Sequence, residues 1–255
     1  MPSKIAVSNQ KGGVGKTTTA INVAGALADR DQDVLLADLD PQGHATEGLG
    51  LADIYESPEP HFGSALATID EFSAVSDLVY TQEEFDVIPA NVDMFTLETD
   101  LTGAMRSRER LQLLFDRLDD DYDFVIVDCP PSLGHLTDNA LLACQNVLIP
   151  ALAEGTSIRA LEILYDQIES IEQGYDTQIN ELGIVANRVE HDGEATEMMD
   201  WFEDTFGGQL PVWEIRKRVA LKRAWNNGVS IFAHDEDSDM EAEFTKIAAH
   251  LEGVA

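Results

Sequence analysis

Short apolar runs alternate along this chain with stretches in which apolar positions recur every three to four residues. That alternation predicts a mostly parallel, twisted sheet with helices packed on both faces. Apolar runs place strands at Lys4–Ser8, Asp33–Asp38, Phe85–Pro89, Phe124–Asp128, Asn146–Ala151, Leu182–Asn187 and Leu210–Val212. Helical spacing covers Lys16–Arg30, Arg106–Leu118, Thr137–Cys144, Ser157–Gln173, Glu194–Phe206 and Glu241–Leu251. Between them Leu51–Gly63, with Ser57-Pro58-Glu59-Pro60, reads as an exposed loop. No internal repeat, low-complexity tract or change of composition divides the chain, so residues 1–255 are expected to form one α/β domain.

Composition narrows the class. With 255 residues and 44% hydrophobic positions, a sizeable core is within reach. No apolar run approaches the ~20 residues needed to span a bilayer, and the first strand begins without a signal-peptide pattern, so a cytoplasmic protein is expected. Cys129 and Cys144 lie in apolar surroundings without metal-ligand spacing and read as packed thiols. The six histidines are scattered with no H-x-x-x-H pair, which argues against a zinc site. Charge is the unusual quantity, since 48 acidic against 16 basic side chains give −32. Acids on a periodic, normally hydrophobic sequence describe a globular chain with an acidic skin rather than a disordered one. Such a skin stays hydrated in concentrated salt, where its self-repulsion is screened within a few ångströms, and an extreme halophile is the expected source.

The candidate chemistry begins where the first strand hands over to the first helix, at Lys11-Gly12-Gly13-Val14-Gly15-Lys16-Thr17-Thr18. Gly12, Gly13 and Gly15 let the backbone turn tightly, so that successive N–H groups converge on an anion at the positive end of the helix. Lys16 is placed to reach the β- and γ-phosphates of ATP, and Thr17 offers its hydroxyl to Mg²⁺. A single P-loop NTPase domain is therefore expected. The common pattern has glycine where Gln10 stands, and Lys11 follows it directly. After the second strand comes Asp38-Leu39-Asp40-Pro41-Gln42-Gly43-His44-Ala45-Thr46, with carboxylates at a strand end, where the ligand crevice of an open α/β sheet lies. A third motif, Phe124-Val125-Ile126-Val127-Asp128-Cys129-Pro130-Pro131-Ser132-Leu133-Gly134, is a buried strand ending in one carboxylate, the Walker B arrangement in which Asp128 accepts from water on Mg²⁺.

These motifs, in this order, resemble the ParA/MinD (Soj-like) ATPases and their deviant Walker A box over nearly the whole chain. The resemblance implies that Lys11 crosses a dimer interface to the nucleotide of the other subunit, so that ATP binding makes a homodimer. It implies that Asp40 holds the attacking water and helps organise the Mg²⁺ shell, and that the loop after Asp128 senses the γ-phosphate. His44 stands where relatives more often carry Asn; His135, where they often carry an apolar residue, reads as a tolerated interface residue. Val185-Ala186-Asn187-Arg188 resembles the strand end whose Asn reads the adenine edge. Pro211 to Ile231 resembles the stretch that closes over the base and then forms a helix with exposed basic residues. There Arg216, Lys217, Arg218, Lys222 and Arg223 put five of 16 basic residues into eight positions. They are the candidate DNA surface, with pairing to the acidic segments Glu190–Asp204 and Asp235–Glu243 as the alternative and the Arg106, Arg108, Arg110 and Arg117 helix as the next candidate.

The second and third motifs look like the ParA/Soj partition side of the family. Membrane-binding relatives end in an amphipathic helix flanked by lysines; here Phe244, Ile247, Ala248 and Leu251 form an apolar stripe with Glu241, Glu243, Glu252 and one lysine, Lys246, around it. That stripe is expected to pack in the core, with no membrane partner. The resemblance therefore implies a slow ATPase that dimerises on ATP, binds DNA non-specifically and segregates a chromosome or plasmid, stimulated by a centromere-binding or similar protein. Nucleoid association when ATP-bound would follow. The alternative is a same-fold ATPase that positions a protein cargo or regulates a division site. A metallocluster carrier or metabolic enzyme would need paired cysteines or an added substrate pocket, and neither is visible.

Overall fold

A computed structural model describes residues 1–69, 72, 75–118, 122–190 and 192–254. Runs such as Val34–Asp38 and Phe124–Asp128 are buried at all five positions, which a strand can satisfy only inside a sheet covered on both faces. These are β2 and β4, and β1 (Ser3–Val7), β3 (Asp86–Ile88), β5 (Asn146–Leu152), β6 (Asn180–Val189) and β7 (Val212–Arg216) complete a sheet of order β3-β2-β4-β1-β5-β6-β7. Every neighbouring pair is parallel. All carboxyl ends therefore point the same way and deliver the three motifs to one edge.

The crossovers contain α1 (Lys16–Ala28), α2 (His44–Gly48), α3 (Phe62–Ala67), α4 (Met94–Leu101), α5 (Arg110–Phe115), α6 (His135–Cys144), α7 (Thr156–Tyr175) and α8 (Gly193–Phe206), and α9 (Val219–Asn226) and α10 (Asp239–Val254) follow the last strand. Alternation along each strand divides the core in two. Val125 and Val127 of β4 pack beneath α3 to α8, while Phe124 and Ile126 face α1 and α10. Phe244, Ile247, Ala248 and Leu251 of α10 are fully buried on that second face, as expected of a core stripe. Among the described residues no helix is long and apolar enough to cross a membrane.

The structure departs from the sequence reading in several elements. The helix read over Arg106–Leu118 is only Arg110–Phe115, because Arg106 takes a left-handed φ of 54° that helical continuation does not allow. Leu51–Gly63 is not wholly an exposed loop: a 3-10 turn occupies Ala52–Ile54, and Phe62, 1% exposed, begins α3. His61 caps that helix, its Nδ1 accepting from Ser64 N at 3.1 Å. Helices α2 and α4 were not anticipated, β6 is longer at both ends, and β7 starts at Val212 rather than Leu210.

Candidate nucleotide site

The loop between β1 and α1 has the shape its glycines permit. Gly13 and Gly15 adopt φ of 76° and 89°, and a Cβ on Gly15 would lie 2.8 Å from Asn187 Nδ2. Around Gly12 and Gly13 there is open space, so backbone N–H groups can be approached closely. Val14 is fully buried and anchors the loop from beneath. Helix α1 has no acidic residue in its first turn and no side-chain cap, which leaves its terminal N–H groups and positive dipole end available to an anion.

Lys16 is 6% exposed and turns inward, its Nζ donating to Asn9 O at 3.0 Å and Lys11 O at 3.3 Å. Burial pulls its pKa below the usual lysine value, and the charges of Asp128 and Asp40 work against that fall. Lys11 points elsewhere. Its ammonium lies 3.1 Å from Glu154 Oε2 and 2.5 Å from Thr156 Oγ1, in a side chain 26% exposed.

Asp38 and Asp128 are register partners on adjacent strands, both fully buried. Thr46 donates its N–H and hydroxyl to Asp38 Oδ2 at 2.8 and 2.7 Å, yet burial pushes this carboxyl up to about 6. Asp128 stands well above the carboxylate range through burial and then the Asp38 charge, with the Thr17 hydroxyl drawing it back. Its two oxygens are buried without a well-formed hydrogen bond. Asp40, 5% exposed, accepts from Gln42 N at 3.0 Å through Oδ1, and His44 Nδ1 stands 3.9 Å from its Oδ2. An unpartnered buried carboxylate beside a threonine hydroxyl fits a divalent cation. Mg²⁺ is held in nucleotide sites by one or two side chains together with phosphate oxygens, and Thr17 and Asp128 are the side chains placed for it here.

Beyond the loop a cavity of about 720 Å³ opens, lined by Gly15, Thr18, Asn187, Arg188, Ile215 and Trp225 together with Arg216, Lys217, Arg218 and Lys222. Its volume suits a small ligand such as a nucleoside. Asn187 closes its inner end, 2% exposed, with Nδ2 donating to Thr19 Oγ1 at 3.0 Å. Pro211 is not brought here. It precedes the amino end of β7, where its carbonyl accepts from Ile184 N at 2.9 Å, whereas the crevice lies at the carboxyl ends. Ile215 and Trp225, and not Pro211, line this cavity.

The basic segment is also rearranged. Arg216 pairs with Glu214 at 2.8 Å, Lys217 with Glu190 at 2.8 Å, Arg218 with Asp239 at 2.6 Å and Arg223 with Glu236 at 2.6 Å. The acidic-segment alternative is thus realised for Lys217, Arg218 and Arg223, and for Arg216 through Asp239 at 4.0 Å, and Lys222 alone of the five has no ion pair among the described residues. The second basic candidate is not an open patch either. Arg110 donates to Ala67 O and Met105 O, Arg117 to Ile69 O and Phe72 O, and Arg108 pairs with Asp138 at 2.7 Å. His135 opens α6 and lines a groove beside α7 rather than the cradle.

Gly15→Ala carries a left-handed backbone cost of about 1–2 kcal/mol and the collision with Asn187. ATP affinity should fall about tenfold or more, read by titration with a fluorescent ATP analogue. Wild-type affinity in that variant would mean that the loop opens without cost.

The AAA domain family matches residues 3–181. The sporulation initiation inhibitor protein Soj of Bacillus subtilis is 33% identical over 237 residues, 92% of each chain. Chromosome partitioning protein ParA of Myxococcus xanthus is 40% identical over 234 residues, 91% of this chain and 81% of that one. Among solved structures, the Cyanothece McdA(D38A)–ATP complex superposes with a TM-score of 0.85 at 22% identity, covering 98% of this chain and 96% of that one. Cobyrinic acid a,c-diamide synthase from Mycobacterium smegmatis, with bound ATP analogue and magnesium, gives 0.81 at 28% identity over 98% and 93%. This chain belongs to the ParA/Soj-like family of partition ATPases.

Proposed function

We propose that this member of the partition ATPase family is an ATP-dependent switch: ATP joins two subunits face to face, the dimer holds DNA without sequence preference, and slow hydrolysis to ADP and phosphate releases it. The observation that carries this reading is the divergence of two lysines five residues apart, one turned into the cradle and one directed out of it. Lys16 faces inward, whereas Lys11 directs its ammonium to the surface at Glu154 and Thr156. A self-sufficient cradle needs only the first; the second, once parted from Glu154, would offset the repulsion between two nucleotides brought together. This supports reading the loop as the deviant Walker A form.

Within that scheme Thr17 and Asp128, with Asp40, would hold Mg²⁺, which supplies charge neutralisation on the phosphates. Asp40 orients water, Asn187 and the cavity around Ile215 and Trp225 receive the base, and Asp38 is held apart by Thr46. The buried apolar stripe of α10 favours a DNA track over membrane attachment. The cargo would be chromosomal or plasmid DNA, engaged through a stimulating centromere-binding protein. The −32 charge supports a cytosol of high salt.

DNA retention with ATP against ADP, at one salt concentration, tests the switch. ATP-loaded wild type should bind and the ADP form should not. Changing Arg218→Glu together with Arg223→Glu should lower DNA affinity about tenfold or more while nucleotide occupancy survives. Equal affinities for variant and wild type would place the DNA surface elsewhere.

A further inference from the structure

Gln10, the residue that stands where the common loop pattern has glycine, sends its side chain out of the loop altogether. Its Nε2 donates to Gln167 Oε1 in the middle of α7. Gln167 Nε2 in turn donates to Asp138 Oδ1 of α6 at 2.7 Å, and Asp138 Oδ2 accepts from Arg108 Nε at 2.7 Å. Gln167 and Asp138 are each 9% exposed, while the Arg108 side chain is 47% exposed. The four residues form a chain from solvent to the phosphate loop. Each inner member uses both its ends, so the amide orientation of Gln167 is dictated by its neighbours.

The same helix holds the next loop residue as well. Thr156, the first residue of α7, accepts from Lys11 Nζ, and Lys11 N donates to Asn9 Oδ1 at 3.0 Å. Gln10 and Lys11 open the cradle, and α7 grips both. Within the loop Lys16 Nζ reaches the carbonyls of Asn9 and Lys11 on either side of Gln10, while the Gln10 side chain is held from α7.

We propose that Gln167 is a positioning residue of the phosphate loop, which through the chain Gln10–Gln167–Asp138–Arg108 fixes the backbone that carries Lys11. Removing its amide leaves the Gln10 donor and one Asp138 oxygen unpaired in a largely buried setting, and the loop then samples other arrangements. The role in nucleotide binding rests on the ATP-switch reading; the anchorage of the loop does not.

Gln167→Met keeps the volume and removes both hydrogen bonds. In the nucleotide-free protein, amide hydrogen exchange of residues 10–13 should speed up about tenfold, with exchange in α10 unchanged. Affinity for a fluorescent ATP analogue should fall about tenfold as well. The double change Gln167→Glu with Asp138→Asn closes the chain again with one donor reversed, because the introduced carboxylate accepts from Gln10 and from the introduced amide, whose oxygen still faces Arg108. Both readouts should return to within about twofold of wild type. Exchange and affinity unchanged in Gln167→Met, or exchange equally faster in α10, would overturn the proposal, as would failure of the double change to restore the loop. Should Gln167→Met not fold, Gln10→Met breaks the same link from its more exposed end and is read the same way. Wild type that binds no ATP would count against the switch, while the exchange measurement still decides the anchorage.

Discussion

Asp40→Ala should bind Mg·ATP with near-normal affinity and turn it over about 10²–10⁴-fold more slowly, the range expected when a group that orients and activates the nucleophile is lost. The separation follows from placement. The cradle is built by Gly12 to Thr17 and Lys16 on the β1–α1 loop, whereas Asp40 hangs from the end of β2, its own backbone held by Asp38 Oδ1 at 3.2 Å and by Gly43 N donating to its carbonyl at 2.8 Å. Alanine at 40 retains those backbone contacts, so the loop keeps its shape. Single-turnover hydrolysis with saturating ATP, beside equilibrium binding, checks both halves. Near-normal turnover would assign the water to another residue, and Asp38 is the neighbour whose variants would come next.

The second large effect concerns assembly. Lys11→Ala should leave a stable monomer that retains some ATP binding but neither dimerises nor hydrolyses ATP. Stability should change little, because Lys11 gives up a partly exposed ion pair with Glu154, of a kind that contributes about 0–1 kcal/mol, and an exposed hydrogen bond to Thr156. The dimer instead loses the cation that would sit between two triphosphates. Sedimentation of wild type and variant with ATP decides the matter: a variant that dimerises normally removes Lys11 from the interface. Glu154→Ala is the useful companion, since it frees Lys11 without deleting it and should leave dimerisation intact.

Six strands were legible as short, mostly buried apolar runs; β7, read at Leu210–Val212, shares only Val212 with the observed strand, whose buried positions alternate with half-buried ones that include Glu214 and Arg216. The phosphate loop was legible because its glycines, lysine and threonine are adjacent in sequence. Asp128 was legible for the same reason, ending a run of four buried apolar residues. Short helices were harder. Helix α2 spans only His44–Gly48 and contains two of the smallest side chains, Ala45 and Gly48, so it shows no periodicity. Arg106 hid the start of α5, since a left-handed residue of ordinary type carries no signal in one sequence. The contacts that complete the site are pairs of polar residues far apart in the chain: Lys11 with Glu154 and Thr156, Gln10 with Gln167, Asn187 with Thr19. Spacing says nothing about such pairs. Pro211 was misplaced because a stretch-level likeness does not say at which end of a strand each residue falls.

On the proposed DNA-binding reading, the ion pairs of the basic segment alter what salt should do to the complex. On an ordinary basic surface each phosphate contact sheds condensed cations from DNA, and affinity falls steeply with salt, by a slope of about −0.9 per contact. Here a phosphate that takes Arg218, Arg223 or Lys217 must first part it from Asp239, Glu236 or Glu190. Each liberated carboxylate then gathers a cation from solution, and that uptake runs against the release from DNA. The exchange of one anion for another makes the net ion stoichiometry small, so a surface built in this way trades peak affinity in dilute buffer for a grip that brine erodes only slowly.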